Sequence, residues 1–189
     1  MILLTVVVAV TLAGCAGEGP RLLVGEDPET GETAKIGVVL PDIVAGRPYS
    51  LGGWIMCLDR PGTVTIERID LLRPSGGIVL QTFSSRPQGP DMVGNAEESL
   101  TAIGFPARNP DVTTACEQDG PLTELGLQYG KSGDASAHAE GIRLTYTSAG
   151  RQRTVDFALD VRLCAPGDMS TKQCADMYDE VEKQRKLEE

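Results

Sequence analysis

The chain has 189 residues, a formal net charge of −10 at neutral pH and hydrophobic residues at 41% of its positions. This length suits one globular domain with additional segments at its ends. The acid excess argues against nucleic acid as a partner, because phosphate contacts need clustered Lys and Arg. It also argues against electrostatic docking of the chain on an anionic membrane surface.

The N-terminal segment is apolar and ends in the run Leu12-Ala13-Gly14-Cys15. As a helix, residues 2–13 would extend about 18 Å, which is too short for a hydrocarbon core of ~30 Å. The run resembles the lipobox of bacterial lipoproteins, in which an aliphatic residue and two small residues precede the lipidated cysteine. The resemblance implies a signal peptide at 1–14, lipidation of Cys15 and a cell-membrane anchor on the extracytoplasmic face. The alternative is a buried N-terminal strand over the β-branched residues 5–10.

Four cysteines remain once Cys15 is assigned to lipid, and an even number in an exported protein predicts two disulfides. A zinc site is the competing interpretation, but the chain has one histidine and lacks a C-x₂-C or C-x₄-C pair. Three pairings are open from sequence alone. We favour one bond that fastens the C-terminal segment to the last strand, which pairs the four residues as Cys164 with Cys174 and Cys57 with Cys116.

Residues 15–35 are rich in Gly, Pro and acidic side chains and show no sustained periodicity. We interpret them as a flexible tether, for which twenty residues give a typical reach of ~25 Å. The apolar residues 22–24 within this segment are a candidate for a short edge strand.

Residues 36–168 show the pattern of a β domain. Short apolar runs at 36–40, 49–58, 63–72, 78–83, 112–116 and 122–129 are separated by Pro and Gly turns. A change of alternation at Glu67-Arg68 predicts a β-bulge. Residues 84–111 are predicted to be a long irregular connection, a class of segment that is often functional.

The clearest alternation belongs to a predicted hairpin, with apolar residues at every second position from Ile142 to Tyr146 and from Val155 to Leu163. Together these patterns predict a mainly β fold, an antiparallel β-sandwich of the immunoglobulin-like or a related type. Residues 169–189 are predicted to form a charged C-terminal α-helix, capped by Ser170 or Thr171.

Two catalytic motifs are considered and rejected. Residues 126–132 resemble a phosphate loop, but they are one residue short of the G-x₄-G-K-[ST] spacing, and we expect a strand that ends in a turn. A Ser or Cys nucleophile would need His138 as its base, and we expect this histidine to be isolated and exposed. The sequence therefore predicts no catalytic residue.

Copper is the one cofactor that is worth weighing, because exported β domains bind it through His, Cys and Met. The candidate ligands show no characteristic spacing, and Met56 is expected in the core; they are His138, Met56, Met92, Met169 and Met177. We therefore predict no cofactor and no metal site. The leading hypothesis is a non-enzymatic, lipid-anchored module that binds an envelope protein or polymer. The alternatives are a small-ligand or copper-binding envelope lipoprotein and an envelope hydrolase.

Overall fold

The computed structural model describes residues 18–25, 35–89, 94–117, 120–168 and 174–175. This part of the chain is mainly β, with antiparallel sheets and a half-barrel. The strands are β1 (Leu22–Val24), β2 (Ile36–Leu40), β3 (Tyr49–Leu58), β4 (Val64–Leu72), β5 (Ile78–Pro87), β6 (Asn95–Ala96), β7 (Asp111–Val112), β8 (Thr123–Lys131), β9 (Ala137–Ala139), β10 (Gly141–Ser148), β11 (Arg151–Phe157) and β12 (Leu159–Leu163).

The strands form three sheets. The five-stranded sheet has the order β1-β3-β8-β5, with β6 paired to β3, and the four-stranded sheet has the order β11-β10-β4-β7. The three-stranded sheet has the order β2-β12-β9, and its β2 and β12 are parallel. That parallel pair departs from the predicted all-antiparallel arrangement. β2 and β12 come from opposite ends of the domain and pair in the same direction.

Several predicted features are confirmed in the four-stranded sheet. The β10–β11 hairpin pairs in regular register from Ile142 opposite Phe157 to Ser148 opposite Arg151. The predicted bulge is present, since Thr145 pairs with Arg68 and Tyr146 with Ile66, which leaves Glu67 as the extra residue.

The prediction for the second strand of the hairpin is wrong in its extent. The predicted single strand from Val155 to Leu163 is two strands in different sheets, β11 and β12, separated by Ala158. Phe157 and Leu159 are both fully buried in the same hydrophobic cluster. The alternation therefore continues unchanged through the break, because both sheets face one core.

All three sheets contribute to that core. The largest fully buried side chains in it include Tyr49 of β3, Tyr129 of β8 and Phe157 of β11. Each such side chain removes 150–250 Å² from water, so these aromatic residues contribute much of the hydrophobic stabilisation although aromatics are few in the sequence.

The connection predicted as irregular over 84–111 contains more regular structure than expected, because β5 continues to Pro87. Arg86 explains how the following loop is held. Its guanidinium donates to the fully buried carboxylate of Glu124 at 2.7 Å and to the carbonyl of Ile103 at 3.3 Å, and it lies 4.3 Å from the Phe105 ring centroid. The Arg86 guanidinium, whose side chain is 17% exposed, thus links the loop around residues 103–105 to β5 and β8.

Residues 18–25 of the predicted tether are packed against the domain. The candidate edge strand is confirmed as β1, which pairs antiparallel with β3 and buries Leu22 and Val24. The rest of the predicted tether lies largely outside the described residues. So does the predicted helix over 169–189, of which the structure describes only Cys174 and Ala175, both helical.

Candidate binding groove

A groove of about 490 Å³ opens at one end of the four-stranded sheet, where the chain leaves β11 for β12. This volume lies within the range of small-ligand sites. Its described lining combines apolar and charged residues: Leu72, Arg73, Glu140, Arg143, Asp156, Phe157 and Ala158. We call this feature the binding groove, and the corresponding end of the sheet the groove end.

Two ion pairs stand in the groove. Arg143 of β10 faces Asp156 of β11 across the hairpin and donates two hydrogen bonds to its carboxylate, each of 2.7 Å. These bonds raise the pKa of Arg143 and lower the pKa of Asp156, so both groups stay charged over a wide pH range. Arg73 forms the second pair, with Glu140. Both pairs are substantially exposed to solvent and therefore accessible to a ligand.

The backbone around the groove is tightly constrained. Arg73 has a φ of 46°, a left-handed conformation that is uncommon for a side chain of this size. A Cβ atom at Gly141 would lie 2.8 Å from the carbonyl oxygen of Phe157, so glycine lets β10 approach the end of β11. Strained backbone of this kind is often found at functional sites, and here it adjoins the groove.

A polar sheet face extends from the groove along β4, β10 and β11. At its centre Glu67, the bulge residue, accepts hydrogen bonds from Thr147 and from Gln152. The hydrogen bond from Thr147, followed by that from Gln152, lowers the pKa of Glu67. These bonds hold the side chains of the face in fixed positions before any partner arrives, which reduces the entropy lost on binding.

The arrangement suits recognition by polar contacts. The groove presents two guanidinium groups as donors and two carboxylates as acceptors beside an apolar floor. None of its described lining residues is a Ser, Thr, Cys or His that could act as a nucleophile or a neutral-pH base. The pocket residues can therefore bind and orient a ligand through these charged groups.

His138 is not the exposed, isolated residue that the sequence suggested. Its side chain is 15% exposed, and Nε2 lies 2.7 Å from Asp160 Oδ1, to which Arg162 approaches at 3.5 Å. β9 pairs with β12 and puts His138 beside Arg162 in the sheet. The missed signal is the alternation of Ala137, His138 and Ala139, in which two buried alanines flank the histidine.

The two candidate copper ligands in the described part of the chain, Met56 and His138, do not form a common site. Met56 is fully buried in the core, as expected, and His138 belongs to the Asp160 cluster. Met92, Met169 and Met177 lie outside the described residues. Within the described ranges, no group of three or more His, Cys, Asp or Glu side chains is arranged to hold a metal ion.

Both favoured disulfides are present in the structure. Cys57 of β3 is bonded to Cys116, and Cys164, directly after β12, is bonded to Cys174. Cys15, the predicted lipidation site, lies outside the described residues.

Residues 126–131 are the end of β8, and the buried Lys131 ammonium donates to the carbonyls of Asp134 and Ala135. The Lys131 ammonium is therefore hydrogen-bonded to the turn that follows β8, and the segment is a strand that ends in a turn, as predicted.

No helix in the described part of the chain has the length and apolar character needed to cross a membrane. No protein-family model matches the sequence, and no curated protein matches it either.

Proposed function

We propose that the protein is a lipid-anchored module on the extracytoplasmic face of the cell membrane, and that it binds a partner through the groove without catalysing a reaction. The binding groove is the observation that carries the proposed activity. Its paired charges are accessible, already oriented and backed by a rigid hairpin, which are properties of recognition sites. The partner class that fits this location is a protein or polymer of the cell envelope.

The proposed location rests on two independent features. The first is the resemblance of Leu12-Ala13-Gly14-Cys15 to a lipobox. The second is the pair of disulfides, which use all four remaining cysteines. Bonds of this kind form and persist in oxidising compartments, so they support export from the cytoplasm.

We also propose that the three sheets are arranged as a sandwich of the immunoglobulin-like or a related type. The supporting observation is that strands of all sheets contribute to one hydrophobic cluster. In a sandwich, the ends of the sheets carry the turns and crossovers where binding sites form, and the groove occupies such a position.

Lipidation is tested by replacing Cys15 in the full-length protein. In a bacterial host that is fed labelled fatty acid, the unmodified protein should carry the label, and Cys15→Ser should not. Cys57→Ser with Cys116→Ser is the matched control, since it removes two other cysteines, those of one disulfide, and should keep the label. Label on the Cys15→Ser protein would contradict the anchor.

Groove recognition is tested by photo-crosslinking the anchored protein in living cells and comparing charge-removal variants. Arg73→Ala with Glu140→Ala should reduce crosslinks to the main partner at least fivefold. Arg47→Ala with Glu97→Ala is the control, because it removes an exposed ion pair that does not line this groove. Equal loss in both variants, or loss in neither, would contradict a binding role for the groove.

A further inference from the structure

The N-terminal residues of the described chain are fixed at the end of the four-stranded sheet that lies opposite the groove. The Ser148 hydroxyl donates to the Pro20 carbonyl at 2.7 Å, and Pro20 is buried. A Cβ at Gly62 would lie 2.9 Å from the Pro20 ring, so the turn before β4 also covers this residue. We call this region, formed by residues 18–21, 59–62 and 148–151, the anchor end.

Charge pairing reinforces the attachment. Both the backbone amide and the guanidinium of Arg21 donate to the Asp59 carboxylate, at 2.7 and 3.0 Å. Arg60 adds a bond of 3.1 Å to the same carboxylate, of which only 11% is exposed. Residues 18–21 therefore belong to the folded domain.

The chain between the lipid and this end is short. Cys15 precedes Glu18 by three residues, which span at most about 11 Å when fully extended. A domain of this size has a radius of gyration of roughly 15 Å. Because the connection is shorter than the radius, the domain cannot turn its opposite end to the membrane that holds Cys15.

The charge distribution favours the same orientation. The anchor end contains three arginines, Arg21, Arg60 and Arg151, and two carboxylates, those of Glu18 and Asp59, so its formal charge is +1. Because the whole sequence has a formal charge of −10, the rest of the chain carries −11. Anionic headgroups repel that remainder and attract the anchor end, whose exposed turn residues Pro61, Gly62, Ala149 and Gly150 are small and uncharged.

From this geometry we propose that the anchor end rests on the lipid headgroups of the outer leaflet and that the binding groove faces away from the membrane. The inference rests on the proposed lipidation of Cys15. β10 runs from Ser148 at the anchor end to Gly141 at the groove, a distance of roughly 23 Å at ~3.3 Å per residue. The groove is thus presented to partners in the envelope and not to the bilayer.

The single tryptophan, Trp54 of β3, provides an energy-transfer donor for the test. The lipidated protein is reconstituted in vesicles of phosphatidylglycerol and phosphatidylethanolamine with dansyl-labelled headgroups. A variant with twenty Gly and Ser residues inserted between residues 17 and 18 adds a reach of ~25 Å. It should show at least twofold lower transfer from Trp54 than the unmodified protein, while both proteins sediment with the vesicles. Equal transfer would overturn the proposed orientation.

A second comparison tests which end faces the lipid. Arg60→Glu with Arg151→Glu should lower the transfer on these anionic vesicles and leave it unchanged on phosphatidylcholine vesicles. The matched control, Lys35→Glu with Arg73→Glu, makes the same charge change near the groove end and should have no effect on either. A larger effect of the control pair would overturn the orientation. A protein that lacks fatty acid and does not sediment would instead contradict the anchor itself.

Discussion

The two ends of the four-stranded sheet differ in how their charges are held. At the anchor end the Asp59 carboxylate is 11% exposed and accepts bonds from two arginines, one of which comes from the N-terminal segment. At the groove end Arg143 and Asp156 are each 48% exposed and pair with each other across one hairpin. The same strand, β10, thus connects a closed end that fixes the chain with an open end that can accept a partner.

The disulfide near the anchor end should provide the largest difference in stability. Replacing Cys57 and Cys116 by Ala should lower the free energy of unfolding by about 2–5 kcal/mol, because the bond closes a long loop. Cys164 and Cys174 are separated by 10 residues instead of 59, so their replacement should cost ~1.5 kcal/mol less in the loop-entropy description. Urea unfolding of both double variants measures the difference, and a larger loss for the short loop would contradict it.

Acid should weaken the anchor end before pH 2 is reached. Partial burial favours the neutral acid, but hydrogen bonds from Arg60 and Arg21 outweigh it and lower the pKa of Asp59 from 3.8 to about 2. The charged form therefore stabilises the fold above pH 3.8, and this contribution is lost as the pH falls towards 2.

Asp59→Asn tests this dependence. The variant should be less stable than the unmodified protein at pH 7, and the difference should shrink between pH 4 and pH 2 in urea unfolding. Asp70→Asn is the control, since Asp70 is in an exposed pair with Arg68 and should show a small difference at every pH. A difference for Asp59→Asn that stays constant with pH would contradict the role of this carboxylate.

Backbone strain should be relieved equally at the two ends. Arg73 at the groove end and Ala149 at the anchor end have φ values of 46° and 48°. Glycine adopts this conformation without the steric cost of ~1–2 kcal/mol but loses more entropy on folding, so each change to Gly should stabilise by about 0.5 kcal/mol. Thermal unfolding measures both variants. Lys35→Gly, at an exposed position without a positive φ, should destabilise, and a gain there would contradict the strain argument.

The smallest effect should come from the ion pair in the groove. A double-mutant cycle with Arg143→Gln and Asp156→Asn should give a small coupling, since exposed pairs contribute little and are screened by salt. The reference cycle uses Arg86→Gln and Glu124→Gln, a pair with a fully buried carboxylate, and should give a clearly larger coupling. Similar couplings in low and high salt would contradict the distinction between open and closed charges.

The strands were predictable where apolar and polar residues alternate along the sequence, because such residues point to opposite faces of a sheet. The period of two in Ile142, Leu144 and Tyr146 is local, and so is the change of phase that predicts the bulge at Glu67. The break at Ala158 was not predictable, because the alternation continues through it while the partner strands change. Pairing partners depend on residues far away in the sequence, so the parallel arrangement of β2 and β12 was not predictable either.

The groove was not predictable either, because it is formed by residues that are distant from one another in the sequence. Its charged residues come from the end of β4, the start of β10 and the end of β11, and no motif with a fixed spacing links them. The favoured disulfide pairing was accessible because one pair is close in sequence and leaves a single pairing for the rest. The position of His138 was not predictable, because β9 has only three residues and forms by pairing with β12, which lies more than 20 residues further along the chain.

The parallel pairing of β2 with β12 has a consequence for how the molecule is made. Ile36 and its partner Leu159 are separated by more than 120 residues, so among the described strands β2, the first strand of the three-stranded sheet, has no neighbour until β12 has emerged. During that interval its apolar residues, Ile36, Val38 and Val39, are unpaired in a growing chain. Contacts of such long range slow folding, and completion of this sheet must be among the last steps. An early stop in synthesis, even one just before β12, would leave β2 without its partner and able to aggregate.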